Sequence, residues 1–179
     1  MLGTYDRIKG GSSAVNPATT VSFTGHRPEK IKNGCAEEST AVTGIKEKLR
    51  DAILEEIEAG CTCFLTGMAM GADLWAAEIV LELKKDYPQL ELVAVVPFAG
   101  QANAFPPRWK ARYDAVLSKS SDVRILSPHY YKSCYHVRNR WLLEHSEHLI
   151  AVFNGSRGGT MQTLNDALLK GHDVKIIHC

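Results

Sequence analysis

Three stretches of this chain carry residues whose types and spacing suit the binding of an anion. They are Thr24-Gly25-His26-Arg27-Pro28, Gly67-Met68-Ala69-Met70-Gly71-Ala72-Asp73, and the segment from Asn154 through Gly158-Gly159-Thr160. Each follows a short apolar run directly, and the second and third open a helical pattern. A helix start leaves backbone N–H groups without intrahelical partners, and the helix dipole adds positive potential there, so phosphate is favoured. Glycine at such a turn lets a ligand come closer to the backbone than any side chain would permit. Arg27 adds a planar cation matched to phosphate or carboxylate. His26, titrating near neutrality, is able to donate to an anion or to act as acid or base. Asp73, at or just inside a helix start, either caps free amides or receives ribose hydroxyls.

Two common nucleotide fingerprints are absent. The glycines at 67 and 71 are four apart, which is not G-x-G-x-x-G, and no G-K-[ST] ending makes a P-loop, so ATP hydrolysis of that kind is unsupported. No paired cysteine or histidine set has zinc-like spacing. Cys61 and Cys63, read as neighbours on one strand with both sulfurs on one side, are expected to be buried core thiols, and no metal site is expected.

The elements that must position these stretches follow from hydrophobic periodicity. Strands are predicted over residues 21–24, 61–66, 92–96, 123–126, 149–153 and 174–177. Between them, Val42, Ile45, Leu49, Ile53 and Ile57 mark one helix face, and Leu74, Ala77 and Leu81 a second. Trp109, Tyr113, Val116 and Leu117 mark a third, and Val137 and Trp141 a fourth that Ser133 is placed to cap. The last helix runs from Gly159 to about residue 170. Gly60 and Gly171 fall where helices end. Strands alternating with helices of this length predict an α/β fold: a Rossmann-like, doubly wound, mainly parallel sheet of about six strands with helices on both faces. In such sheets ligands bind outside the carboxyl ends of the strands, which is where all three stretches fall. Trp75, Trp109 and Trp141 are read as core or shoulder packing.

Composition sets the outer bounds. The 179 residues, 45% hydrophobic and 23% charged, suit one globular domain over residues 21–179, preceded by a leader over residues 1–20 that is rich in glycine and serine. No apolar run has the length of a membrane span, and five scattered cysteines do not make a secreted disulfide framework, so a cytoplasmic location is expected. A formal charge of +1 provides no general drive toward nucleic acid, which is therefore not expected as a partner. Self-association is left open.

Together these residues resemble a known family. Ser22-Phe23-Thr24-Gly25-His26-Arg27-Pro28, then Thr66-Gly67-Met68-Ala69-Met70-Gly71-Ala72-Asp73 leading into Ala76-Ala77-Glu78, then Arg138-Asn139-Arg140, and finally Gly158-Gly159-Thr160 are similar to the SLOG superfamily, closest to its YpsA-like group. The match runs in order over nearly all of the chain from Val21 to Ile177. The resemblance implies a Rossmann-like fold that binds a nucleotide or nucleotide-derived small molecule over Gly25, His26, Arg27, Gly67, Met68, Gly71, Asp73, Arg138, Asn139, Asn154, Gly158, Gly159 and Thr160. Three anion-suited loops with no complete catalytic set point to a sensor or regulatory module, with no cofactor required.

Two other activities occur in the superfamily: loading of recombinase onto single-stranded DNA, and cleavage of the base from nucleoside monophosphates by Lonely-Guy phosphoribohydrolases. The latter carry P-G-G-x-G-T-x-x-E-x-x-E. With Gly159-Thr160 on its G-T, Thr163 stands at the first glutamate and Asp166 at the second. Threonine cannot supply the charge that stabilises oxocarbenium character. If the chain is such an N-glycosidase, Asp73, Glu78 and Asp166 are the candidate carboxylates.

Overall fold

A computed structural model describes residues 15–179 of the chain. Six strands, β1 (Thr20–Gly25), β2 (Cys63–Thr66), β3 (Glu91–Val96), β4 (Asp122–Ile125), β5 (His148–Phe153) and β6 (Asp173–His178), form one sheet. Every pairing is parallel and the order is β4-β3-β2-β1-β5-β6. Five helices provide the crossovers: α1 (Thr40–Glu58), α2 (Ala72–Leu83), α3 (Pro107–Lys119), α4 (Cys134–Glu144) and α5 (Gly159–Leu169). The chain steps outward from β1 to β4, then returns to place β5 on the other side of β1. Strand order therefore reverses between β1 and β5, and a crevice opens at their carboxyl ends.

Period-two alternation divides the core. On β3, Leu92, Ala94 and Val96 face the large cluster shared with α1, α2 and α3, whereas Val93 and Val95 face a smaller one with Leu65 and Leu142 of α4. Both faces of β3 are thus covered, which is why its sequence is continuously apolar. Phe23, Phe64, Trp75, Leu49 and Ile53 are among the largest fully buried side chains, each contributing roughly 1.5–3 kcal/mol through removal from water. Among the described residues no helix is long and apolar enough to cross a membrane.

Several local expectations change. Cys61 precedes β2 rather than lying on it, so the two-residue periodicity does not apply. Cys61 joins the large cluster and Cys63 the smaller one. Ser133 stands at the N-cap position of α4, but its hydroxyl makes no capping bond. Of the leader expected over residues 1–20, residues 1–14 lie outside the described residues. Pro17–Thr19 forms one 3-10 turn capped by the Asn16 side chain, Thr20 already belongs to β1, and Val15 packs against the smaller cluster.

An ion network that periodicity does not reveal fastens α1, α2 and α3 together. Glu37, in the connection before α1, accepts from Trp75 Nε1 at 2.9 Å and Arg112 Nη1 at 2.6 Å, and pairs with Lys46 at 2.5 Å. Arg112 also grips Glu78 through Nε at 2.6 Å and lies over the Trp109 ring at 4.5 Å from its centroid. Desolvation raises the Glu37 carboxyl, but the donors from Lys46, Trp75 and Arg112 outweigh it and hold the group at about 2, below its ordinary 4.5. A depressed carboxyl contributes stability that is present above pH 4.5 and lost as pH falls toward 2. Urea midpoints measured across this range should fall steeply for the native chain. Glu37→Gln should be less stable at neutral pH and should show a flatter acid limb. Equal acid limbs for both proteins would show that Glu37 is not the titrating group.

Candidate functional site

The crevice between β1 and β5 contains a cavity of about 300 Å³. Of the sequence-predicted residues, it is lined by Gly25, His26, Arg27, Asp73, Arg138, Asn139, Gly159 and Thr160. Lys30, Ala69, Tyr135 and His136 line it as well. A larger cavity of about 510 Å³ lies beside β4, between Val96, Tyr113, Leu117, Val123 and Ile125. Its walls are mostly apolar, and its one cation, Lys110, is paired with Asp114 at 2.8 Å. A third, of about 490 Å³, lies on the outer side of α2 and α3 among Lys84, Lys85 and Lys119, away from the strand ends. The smallest of these, at the carboxyl ends of the strands where their order reverses, is therefore the candidate site.

Its floor is a buried ion pair. Arg138 Nη1 lies 3.4 Å from Asp73 Oδ2 and also donates to the Gly67 carbonyl oxygen. Burial lowers the affinity of Arg138 for its proton and raises the Asp73 carboxyl above the usual carboxylate range, with each partner opposing the other's shift. Asp73 Oδ2 further accepts the Ala69 amide at 3.3 Å, and Thr66 Oγ1 donates to the Asp73 carbonyl at 3.0 Å while accepting the Met68 amide at 3.2 Å. These bonds hold Met68 at φ 59°, a left-handed conformation uncommon for a residue with a side chain. From Arg138 the network continues outward. Arg138 Nε donates to Asn139 Oδ1 at 2.7 Å, Asn139 Nδ2 to Thr163 Oγ1 at 2.9 Å, and Thr163 Oγ1 to the Gly159 carbonyl at 2.9 Å. Thr163 thus occupies the position of a phosphoribohydrolase glutamate as a buried link between α4 and α5.

The glycines divide into two groups. A Cβ on Gly67 would overlap Arg138 Nη1, and one on Gly25 would overlap the Ala72 Cβ. One on Gly71 would meet the His26 carbonyl oxygen at 2.7 Å. These three make room for protein atoms, and Gly67, Met68 and Gly71 do not line the cavity. Gly159 has no atom near its would-be Cβ, and Gly158 has only Lys30 Nζ, at 3.3 Å. No side chain caps α5. Its first amides are open to a ligand, with the Lys30 ammonium beside them.

The walls are cationic and aromatic. Arg27 is exposed and lies over the Tyr135 ring at 5.8 Å from its centroid. Among the described residues neither Arg27 nor Lys30 forms an ion pair. His26 is buried, not solvated, and its ring packs on Phe153 with centroids 5.4 Å apart. Its nitrogens lie 3.5 Å from the Ser156 and Thr160 hydroxyls. Burial lowers its pKa, the Asn154 side chain partly offsets this, and Lys30 adds to the lowering, so the imidazole is neutral at neutral pH. Asn154 shapes the rim by bridging the Lys30 carbonyl at 2.8 Å and the Ser156 amide at 2.9 Å.

The other candidate carboxylates lie elsewhere. Glu78 is bound to Arg112 in a shallow hollow between α2 and α3, and Asp166 is on the exposed face of α5. Asp73 is the one carboxylate lining the cavity. Sequence reasoning missed Lys30, Tyr135 and His136. Tyr135 had a usable signal, since it precedes Arg138 by three residues and so shares its helix face.

Fold and cavity together define a Rossmann-like α/β protein with an anion-suited pocket at its topological switch point. Comparison with known proteins gives the family. Residues 21–177 match the YpsA profile, described as the YspA SLOG family, and the chain belongs to that family. It is 26% identical over 163 residues to UPF0398 proteins of Bacillus thuringiensis (strain Al Hakam) and Bacillus cereus (strain AH187), covering 88% of this chain and 86% of theirs. Among solved structures it is similar to DNA processing protein A of Streptococcus pneumoniae, with TM-score 0.62 and 19% identity, covering 90% of this chain but only 51% of that one. It is also similar to DNA processing protein A of Helicobacter pylori, whose structure is described by its single-stranded DNA binding mode. There the TM-score is 0.61 and the identity 16%, covering 93% of this chain and 68% of that one. The fold is thus one that a single-stranded DNA-binding protein also uses.

That finding overturns the expectation that nucleic acid is not a partner. The expectation rested on net charge, which sums the whole surface, whereas Arg27 and Lys30 concentrate positive potential at one crevice.

Arg138→Met would leave Asp73 buried and unpaired, which costs about 3–5 kcal/mol. Gly67→Ala should cost a comparable amount by expelling the guanidinium. Denaturant unfolding of both, with Asp73→Asn/Arg138→Met recovering part of the loss, would confirm the pair. Losses under about 1 kcal/mol in both single variants, the range of exposed pairs, would refute it.

Proposed function

We propose that this protein binds the phosphate of a nucleotide or nucleotide-derived molecule in the β1–β5 crevice and acts as a sensor or regulatory module. One observation carries the reading: two cations without ion-pair partners among the described residues, Arg27 and Lys30, face the uncapped start of α5 across one cavity. The single lining carboxylate, Asp73, is engaged by Arg138 and the Ala69 amide, which favours holding a ligand over cleaving it. Neutral His26 supplies a hydrogen bond without a competing charge.

A second reading, binding of a single strand of nucleic acid, is favoured by the aromatic cluster at the cavity's edge. Phe98 lies 5.4 Å from Tyr130 and 6.1 Å from Tyr135, both edge-on, and Tyr130 is 62% exposed. An exposed ring beside a cationic groove is what base stacking on a strand requires. The single-stranded DNA binding of the Helicobacter pylori protein that shares the fold agrees with it.

Thermal shift with nucleoside mono-, di- and triphosphates and with short oligodeoxynucleotides should find ligands that raise Tm, because binding to the folded state alone stabilises it. Arg27→Ala should weaken such binding by about tenfold or more, as loss of a charge-assisted contact does. If an oligonucleotide is the tighter ligand, Tyr130→Ala should weaken it by about 1–3 kcal/mol and affinity should fall steeply with salt. No rise in Tm with any of them at millimolar concentration would end both readings.

A further inference from the structure

At the opposite edge of the sheet, three potential metal ligands from three separate elements converge. Glu56 lies in the last turn of α1, Cys61 just past that helix, and His148 at the first position of β5. The helix end sets the first two: Gly60, at φ 99°, reverses the chain so that the Cys61 amide bonds the Glu56 carbonyl at 2.9 Å. Parallel pairing sets the third, with His148 in register between Val21 of β1 and Asp173 of β6. We propose that Glu56, Cys61 and His148 bind a divalent transition metal ion of the zinc and cobalt class, through one carboxylate oxygen, one thiolate and Nδ1.

Geometry supports the assignment. The three donor atoms lie within 4.8 Å of one another, with His148 Nδ1 3.0 Å and Cys61 Sγ 3.5 Å from Glu56 Oε2. Bonds of about 2.0–2.3 Å at tetrahedral angles separate donor atoms by roughly 3.3–3.8 Å, so adjustments of less than about an ångström close the set on one ion. Glu56 is 2% exposed, a setting in which a carboxylate stays only when engaged, and Cys61 is equally buried beside it.

The contacts present do not satisfy the histidine. His148 Nδ1 is buried and makes no aligned hydrogen bond despite its 3.0 Å separation from the carboxylate. That nitrogen is left with bonding capacity that an ion shared with Glu56 and Cys61 would take up. Lys175 occupies only the other oxygen of Glu56, Oε1, at 2.9 Å, leaving Oε2 to face Cys61 and His148. Asp173 Oδ2, 3.8 Å from His148 Nδ1 and mostly exposed, or a water molecule, supplies the fourth position. Carboxylate, thiolate, imidazole and metal balance to no net charge within the three-ligand set. On uptake the Cys61 thiol loses its proton to solvent and its sulfur forms the metal bond. The crevice between β1 and β5 is at the other end of the strands, so this site does not depend on the ligand bound there.

Titration of the reduced full-length chain with cobalt(II) tests the assignment. One equivalent should be taken up with a near-ultraviolet thiolate-to-cobalt charge-transfer band that zinc displaces, and zinc should raise Tm. Cys61→Ser should abolish the band, and His148→Asn should weaken uptake by about tenfold or more. Cys35→Ser and Cys179→Ser should leave it intact. Circular dichroism establishes that each variant is folded; if Cys61→Ser is not, Glu56→Gln and His148→Asn decide in its place. Absence of the band at millimolar cobalt, its survival in Cys61→Ser, or unaltered uptake in both Glu56→Gln and His148→Asn would overturn the proposal.

Discussion

The carboxyl edge of this protein depends on one guanidinium. Arg138 reaches from α4 through the gap left by the missing side chain of Gly67 and meets Asp73 at the start of α2. Both groups are almost wholly removed from water, so each is tolerable only because the other is present. Through Asn139 and Thr163 the same residue reaches the Gly159 carbonyl. The loop after β2, the helix α4 and the turn opening α5 are thereby held as one unit. The groups that line the crevice are thereby fixed in place, and the ligand proposed for it would bind at a reduced ordering cost.

This arrangement separates charge that supports structure from charge left open at the cavity. Asp73 and Arg138 cancel beneath the cavity, while Arg27 and Lys30 remain at its mouth. The result is a local positive field on a chain whose formal charge is only +1. Net charge measures long-range attraction to polyanions, and it says little about a crevice where low-dielectric walls focus two cations on one point. The aromatic cluster of Phe98, Tyr130 and Tyr135, with Arg27 over Tyr135, adds surface for a base beside that point.

The two ends of the sheet have different chemistry for a topological reason. Parallel strands put all their carboxyl ends at one edge, and the reversal of order between β1 and β5 opens that edge into a crevice. At the amino edge the crossover helices end and the strands begin, so α1 can deliver Glu56 and Cys61 against the first residue of β5. A carboxylate, a thiol and an imidazole meet there with no sequence motif to announce them.

The alternation of strands and helices and the parallel sheet were legible in the sequence, because hydrophobic period and turn residues are local properties. The sequence also grouped His26, Arg27, Asp73, Arg138 and Gly159, which line one cavity, since loops that follow parallel strands share an edge whatever the details. Tertiary structure decided what each residue does there. The loop glycines looked alike in sequence, yet Gly25, Gly67 and Gly71 admit protein atoms while Gly159 faces open space. Glu78 looked as available as Asp73 until Arg112, from α3, was found to hold it. Lys30 gave no signal, and Glu56 and His148 gave none as partners of Cys61. Their contacts join residues tens of positions apart, and such distances are set by the packing of whole elements, which no local pattern records.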